Sequence, residues 1–407
     1  MWQRTLWLIV GLQLTISMGR SIAFPFMPLY LIELGVRPLQ SVEWWSGAIT
    51  SVGFLMAALS SPLWGSIADR HGRKLMVVRS SVAVAVTTGL LALVHTAWQV
   101  FALRAATGVF SGFSAAALAL VGTQVPEEQL GYALGWIATA QMLGTLIGPL
   151  AGGLLADHFH DYRAVFLITS GITAIAAIAC AAFLREDRSP LAAGGAANRA
   201  PFWNRLATLA ARPALVPMLL VVLLAQVCAL GVSPIMALVV RSLVHNGGVA
   251  TAAGAAVAAT GIGGVISAPL LGRRGDAIGY RTVLLVSLAG AALFTVPQAF
   301  ADNVVLFIGL RFGVGLFIGG ILPSANAWIG RRFAASERGT IYGLTASATL
   351  SGQAIGPLFG AGIAGRFGFH AAFAAIGALM IANLLWVAVV LREEPPRAGE
   401  PAGAASR

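Results

Sequence analysis

The chain has 407 residues, of which 58% are apolar and only 10% charged. A soluble domain averages about 25% charged, so a water-facing enzyme and a disordered chain are both excluded, and lipid is the solvent that fits. The formal charge of +11 is almost wholly arginine, Lys74 being the sole lysine; loops that orient a chain in a bilayer account for it without nucleic acid.

A helix that crosses a bilayer needs about 20 mostly apolar residues. Twelve such stretches are predicted, near 5–33, 44–67, 75–95, 97–122, 130–156, 163–184, 213–241, 250–271, 282–300, 303–329, 339–364 and 369–391. The first runs too far for a signal-peptide core and reads as a retained helix. An even number of crossings puts both ends on one side. The loops of that side hold most of the basic residues, from Arg4, Arg70 and Lys74 to Arg273, Arg331 and Arg392. The opposite loops hold only Arg37, Arg163, Arg241 and Arg366. Basic loops face the cytoplasm, so both termini are expected there, in an inner-membrane protein. Cys180 and Cys228 fall inside apolar stretches and read as small core residues.

The expected class is an all-α membrane protein with two pseudo-symmetric six-helix bundles. Residues 1–184 form the first and 213–391 the second. Residues 185–212 link them on the cytoplasmic side, and Phe202, Leu206 and Leu209 there suit one face of a surface-lying helix. Residues 392–407 form a cytoplasmic tail. The halves repeat: Gly65, Asp69 and Gly72 recur 207 positions later as Gly272, Asp276 and Gly279. Arg104 and Gly108 recur at the same offset as Arg311 and Gly315, and Gly148, Pro149 and Gly152 recur 208 later as Gly356, Pro357 and Gly360. Repeats about a central site are the architecture of secondary transporters.

Three motifs carry the functional reading. In the loop Gly65-Ser-Ile-Ala-Asp69-Arg70-His71-Gly72-Arg73-Lys74, Gly65 permits close helix approach and Gly72 a tight turn. Asp69 suits the positive end of a neighbouring helix or an arginine, a contact made in one gate state and broken in the other. Arg104 is a costly charge within a span, suited either to coupling or to a structural tie. Gly144, Gly148, Pro149, Gly152 and Gly153 combine a helix kink with room for a partner helix.

Together these motifs resemble the major facilitator superfamily. The third resembles the signature of its twelve-helix drug:proton antiporters. Phe24-Pro25-Phe26-Met27-Pro28-Leu29-Tyr30, Ala58-Leu-Ser-Ser-Pro62-Leu-Trp64-Gly65 and Thr123-Gln-Val-Pro126 extend the likeness toward MdtG-like multidrug resistance proteins. The resemblance implies the major facilitator fold and a gating role for the first motif. It implies proton movement or conformational coupling at Arg104 with Gly108, and a pathway seal at the bent fifth span.

Arg20 departs from the expected apolar residue in the first span. No Asp or Glu is placed deep inside any predicted span; Glu33, Glu43, Asp69, Asp157, Asp161 and Asp276 are assigned to ends or loops. Arg20, Pro25, Met27, Gln141, Gln226 and Asn326 are the candidate substrate-binding residues, with Arg20 turning the cavity toward anionic or neutral amphiphiles. Arg20 could instead snorkel or bond Gln226. Arg104, Asp69, Glu33 and His245 are fallback participants in proton coupling. No Gly-Lys-Ser/Thr phosphate loop or zinc motif occurs. Gly360-Ala-Gly362-Ile-Ala-Gly365 follows no strand and is rejected as a dinucleotide site.

The expectation is a secondary transporter, not an enzyme, exporting small amphiphilic compounds by alternating access. Its expected partners are substrate, protons and lipid, with no metal and no cofactor beyond a proton gradient, in a functional monomer. Sugar efflux or organic-anion exchange is the alternative.

Overall fold

The computed structural model describes residues 2–23, 25–184, 215–244, 247–333 and 335–391. For Gly65, Asp69 and Arg70 only the backbone path is described, as for several other positions around residues 62–71, 115–128 and 335–339. The expected linker 185–212 with its surface helix, the tail 392–407 and His245 lie outside the described residues.

The described chain is helical throughout. The helices are α1 (Trp2–Ser21), α2 (Met27–Glu33), α3 (Leu39–His71), α4 (Arg73–Leu90), α5 (Ala97–Val109), α6 (Phe113–Gln124), α7 (Glu127–Phe159) and α8 (Tyr162–Phe183). The second half contributes α9 (Leu215–Gly231), α10 (Met236–Leu243), α11 (Val249–Ile278), α12 (Tyr280–Thr295), α13 (Val304–Ile318), α14 (Ile321–Arg332) and α15 (Ala335–Val390). Helix α15 is two arms that meet at Gly368, whose φ of 85° ends one arm and starts the next. Pairing α1 with α2, α5 with α6, α9 with α10 and α13 with α14 gives twelve crossings. Nine of the described helical segments are long and apolar enough to span a bilayer by themselves.

Four crossings expected as continuous are broken. The first parts between Ser21 and Met27, where Pro25 cannot donate a backbone hydrogen bond. The fourth breaks at Gly112, whose φ is 114°. There Arg79 donates to the Ser111 carbonyl at 3.0 Å and stacks on Trp64, which donates to the Val109 carbonyl. The seventh and tenth break near Pro234 and Gly319.

Local chemistry repeats with the sequence. Thr96 caps α5 by accepting from the Gln99 amide, and Asn303, 207 positions on, caps α13 by accepting from Leu306. Ser60 donates to the Gly108 carbonyl, and Ser267 donates to that of Gly315. Gly108 seats its helix against Gly53 of α3, and Gly315 seats its own against Thr260 of α11. A side chain at either glycine would strike backbone, so these helix pairs require glycine there.

The core divides into three. One buried cluster, from Leu6 to Leu184, belongs wholly to the first half, and another, from Leu215 to Leu391, wholly to the second. The third joins both halves, packing Phe26, Tyr30, Ile49 and Phe166 with Ile235, Val239, Ala253, Phe307 and Phe373. The two private clusters lie toward the end of the molecule that carries Trp2, Leu184, Leu215 and Leu391, here called the terminal face. The shared cluster lies toward the opposite, distal face.

Candidate transport pathway

Two seams join the halves at the distal face. In one, α7 meets α11: Gly153 lies against Ala250 and Thr251, and Gly254 against Pro149 and Leu150. Asp157 of α7 accepts from the Thr251 amide at 2.7 Å and from Ala250 at 3.4 Å. Helix α11 begins at Gly248, which offers no capping side chain. A carboxylate from the first half therefore satisfies the orphan amides and faces the positive dipole end of a helix in the second. In the other seam, α3 meets α15. Gly47 lies against Ala361 and the Pro357 carbonyl, while Gln40, Glu43 and Trp44 cover Gly362 and Gly365.

Nearer the terminal face the glycines of the same helices make no such approach. A Cβ built at Gly131 or Gly135 of α7, Gly272 of α11 or Gly343 of α15 meets nothing within 4 Å. The close approaches of glycine backbone between the halves are thus concentrated at the distal face.

The glycine–proline motif is divided between two tasks. Gly144, Gly148 and Gly152 bring α7 onto α1, at Leu14, Met18 and Ile22, whereas Gly153 meets the second half. Their repeats Gly352, Gly356 and Gly360 bring α15 onto α9 at Leu223, Val227 and Gly231.

Arg20 and Arg104 line one cavity in the first half, with Met27, Thr50, Gly53, Ser80, Thr107 and Gly108 among its walls. Its volume is about 60 Å³, room for several waters when each needs about 10–15 Å³. Among the described residues no acidic side chain lines it. Arg20 lies in the last turn of α1, where the negative end of the helix dipole favours a cation. That end exists because the first crossing breaks. Arg311, the repeat of Arg104, is buried, and its Nε has no hydrogen-bond partner among the described residues.

The other candidate binding residues do not converge on that cavity. Pro25 is buried at the break between α1 and α2. Gln141 is exposed on α7. Gln226 bonds Gln353 at 3.4 Å rather than Arg20. Asn326 lines a separate groove of the second half with Tyr342, Thr345 and Thr349. The grouping is corrected accordingly: only Arg20 and Met27 share the cavity with Arg104 and Gly108.

The gating motif is seen best in its second copy. Asp276 pairs with Arg331 at 2.9 Å and accepts from Tyr280, all within the second half. It therefore ties α11 to α14 and does not bridge the halves. Gly272 makes no close approach. Gly72 and Gly279 both turn the chain with positive φ, 96° and 86°. Arg73 and Lys74 follow at the start of α4.

Sequence reasoning missed the burial of one acid. Glu43, assigned to a span end, sits one turn inside α3 and is only 4% exposed, at the seam with α15. The repeat offers a signal for it: residue 43 corresponds to Ala250, and Asp157 corresponds to Gly365, so each seam carries one acid on opposite partners.

The family model of the Major Facilitator Superfamily matches residues 9–248 and 235–406. The chain belongs to the major facilitator superfamily. It is therefore a transporter rather than an enzyme, and a multi-pass integral membrane protein with a small-molecule substrate. It is 35% identical over 406 residues to the multidrug resistance protein MdtG of Yersinia enterocolitica, covering 98% of this chain and 96% of that one. It is 34% identical over 383 residues to MdtG of Klebsiella pneumoniae, covering 94% and 92%. Among solved structures, the nucleoside transporter NupG aligns with a TM-score of 0.80 at 12% identity, covering 97% of this chain and all of that one. A bacterial Spinster homologue in an inward-facing, occupied conformation aligns with a TM-score of 0.80 at 13% identity, covering 97% and 99%. At such identities these structures speak to the fold of this transporter alone.

Proposed function

We propose that this transporter is a proton-coupled multidrug exporter of the inner membrane, working by alternating access as a single chain of two six-helix bundles. The observation that carries alternating access is the asymmetry of its core: the halves share buried surface distally and keep separate clusters at the terminal face. The relatives named multidrug resistance proteins supply the substrate breadth. Basic loops support a cytoplasmic terminal face, and on that reading the distal contacts between the halves correspond to an inward-facing state. Export then requires the distal seams to part and the terminal ends to meet.

Arg20 and Arg104 line a cavity of water size in which no described side chain is acidic, so it suits the anionic head of an amphiphile, not the whole molecule, and disfavours a cation. The test is transport in proteoliposomes under an imposed pH gradient, with anionic and cationic amphiphiles matched in size. An anion should be driven by the gradient. Arg20→Ala should cost it roughly tenfold in kcat/KM, the size of a lost charged hydrogen bond, and leave neutral compounds nearly untouched. A cation preference indifferent to Arg20→Ala would remove the anion reading. The same two-arginine cavity supports one rival, exchange of organic anions. Counterflow that no pH gradient alters would select it.

A further inference from the structure

Among the described residues, Glu43 is the one acid buried in the distal seal. Its carboxyl group lies between α3 and α15, and a Cβ built at Gly365 would stand 3.1 Å from its Oε2. Gln40 and Trp44, one turn before and one residue after, cover the same stretch of α15. Only 4% of the residue is exposed, and among the described residues no hydrogen bond or ion pair reaches its carboxyl group.

The groups around it offer no countercharge. On α15, Arg366 is exposed and stacks on Phe367, and His370 lies beside Phe300. On α2, Tyr30 donates to the Leu91 carbonyl, while Glu33 lies within the influence of Asp161 and Arg163. Arg37, in the turn before α3, donates to the Ile32 and Val36 carbonyls. On α5, the one ionisable side chain, Arg104, lines the cavity shared with Arg20. On α4, Arg79 is held against Trp64 and Ser111, and Arg73 and Lys74 lie at the terminal face. The short turn Ser233–Ile235, which also touches α3, has no ionisable group. Among the described residues, none of these makes a hydrogen bond or ion pair with the Glu43 carboxyl group.

We infer that Glu43 is a proton-binding site that controls the distal seal, the α3–α15 seam closing only over the neutral acid. The physical reason is the asymmetry between the two forms. An unpaired carboxylate in such a place is strongly disfavoured, whereas a carboxylic acid carries no net charge to desolvate. When the seam parts, water reaches Glu43 from the distal side and the proton exchanges with that compartment. Acid on the distal side then favours closure and return to the loading state. The inference rests on alternating access as proposed above, but not on protons being the driving ion.

The test places spin labels at Leu39 and Phe367, both exposed at the distal ends of the seam, in the reconstituted full-length protein, and reads the distance distribution against pH. In the unsubstituted background the open-to-closed ratio should rise with pH, by up to about tenfold per unit near the midpoint for one linked proton. Glu43→Gln should hold the seam closed at every pH, and Glu43→Asp should keep a pH response. A Glu43→Gln protein that titrates as before, or a background that does not titrate, overturns the inference while leaving transport by alternating access in place. A seam that opens under no pH and with no substrate overturns alternating access itself, and the inference with it. Should Glu43→Gln fail to fold, dicyclohexylcarbodiimide, which modifies protonated carboxyl groups in apolar surroundings, decides on the unsubstituted protein. Peptide mass spectrometry should find an adduct at Glu43 that declines as pH rises; no adduct, or one indifferent to pH, overturns the inference.

Discussion

The two distal seams are built from equivalent helices and solve one problem in opposite ways. Gly47 against the Pro357 carbonyl in the α3–α15 seam repeats as Gly254 against Pro149 in the α7–α11 seam. One turn toward the distal surface the equivalence breaks. The α7–α11 seam sets Asp157 against Ala250, with the carboxylate hydrogen-bonded to the start of α11. The α3–α15 seam sets Glu43 against Gly365, with the acid buried and, among the described residues, without a hydrogen-bond partner. Helix α3 begins at Leu39, one turn before Glu43, so its free amides lie beyond the reach that Asp157 has to those of α11. An exchange of acid between facing helices, together with the earlier start of α3, thus turns a charged latch into a site that prefers to be neutral.

The sharpest way to break this comparison is Gly365→Asp. It adds a carboxylate where Glu43 already lies buried, and two such groups cannot both ionise in contact. The α3–α15 seam should open at neutral pH, shifting the open population by more than about a hundredfold, given several kcal/mol for each buried ion. Adding Glu43→Ala leaves one acid in the seam, still out of reach of the free amides of α3, so closure should return only with that acid protonated; distances between labels at Leu39 and Phe367 read both outcomes. A smaller shift is expected from Asp157→Ala. Losing a helix cap costs about 0.5–2 kcal/mol, so the α7–α11 seam should open roughly 2- to 30-fold more often, with little of the pH dependence assigned to Glu43. Smallest of all is Asp276→Ala. Its pair with Arg331 is 63% and 61% exposed and joins helices of one half. Exposed pairs contribute about 0.2–1 kcal/mol, so transport should fall by no more than about fivefold and seam distances should not move.

Much of this fold was legible because membrane spans announce themselves by length and apolarity. The repeat at 207 and 208 positions carried further, since Ser60 with Gly108 and Ser267 with Gly315 make the same contact in each half. The broken crossings were not legible. Pro25, Gly112 and Pro234 stand inside runs apolar enough to read through, and a break there is stabilised by partners far away, as Trp64 and Arg79 hold the one at Gly112. The candidate site was legible only in part. Arg20 and Arg104 stood out as charges in lipid-facing sequence, and they share a cavity. Gln141, Gln226 and Asn326 looked alike on paper, but helices apolar on every side give no periodicity that says which face meets the pathway. Glu43 was hidden for the same reason: distance along its span says little about depth between two docked halves.

Helix α11 has its first turn completed by Asp157, a residue of the other half. That makes the helix whole in one conformation and frayed in the other. The Thr251 amide is accordingly a built-in reporter: its hydrogen should exchange slowly while the distal side is shut and quickly once it parts. The working cycle of the unlabelled protein in native lipid is then readable from the deuterium uptake of a single peptide.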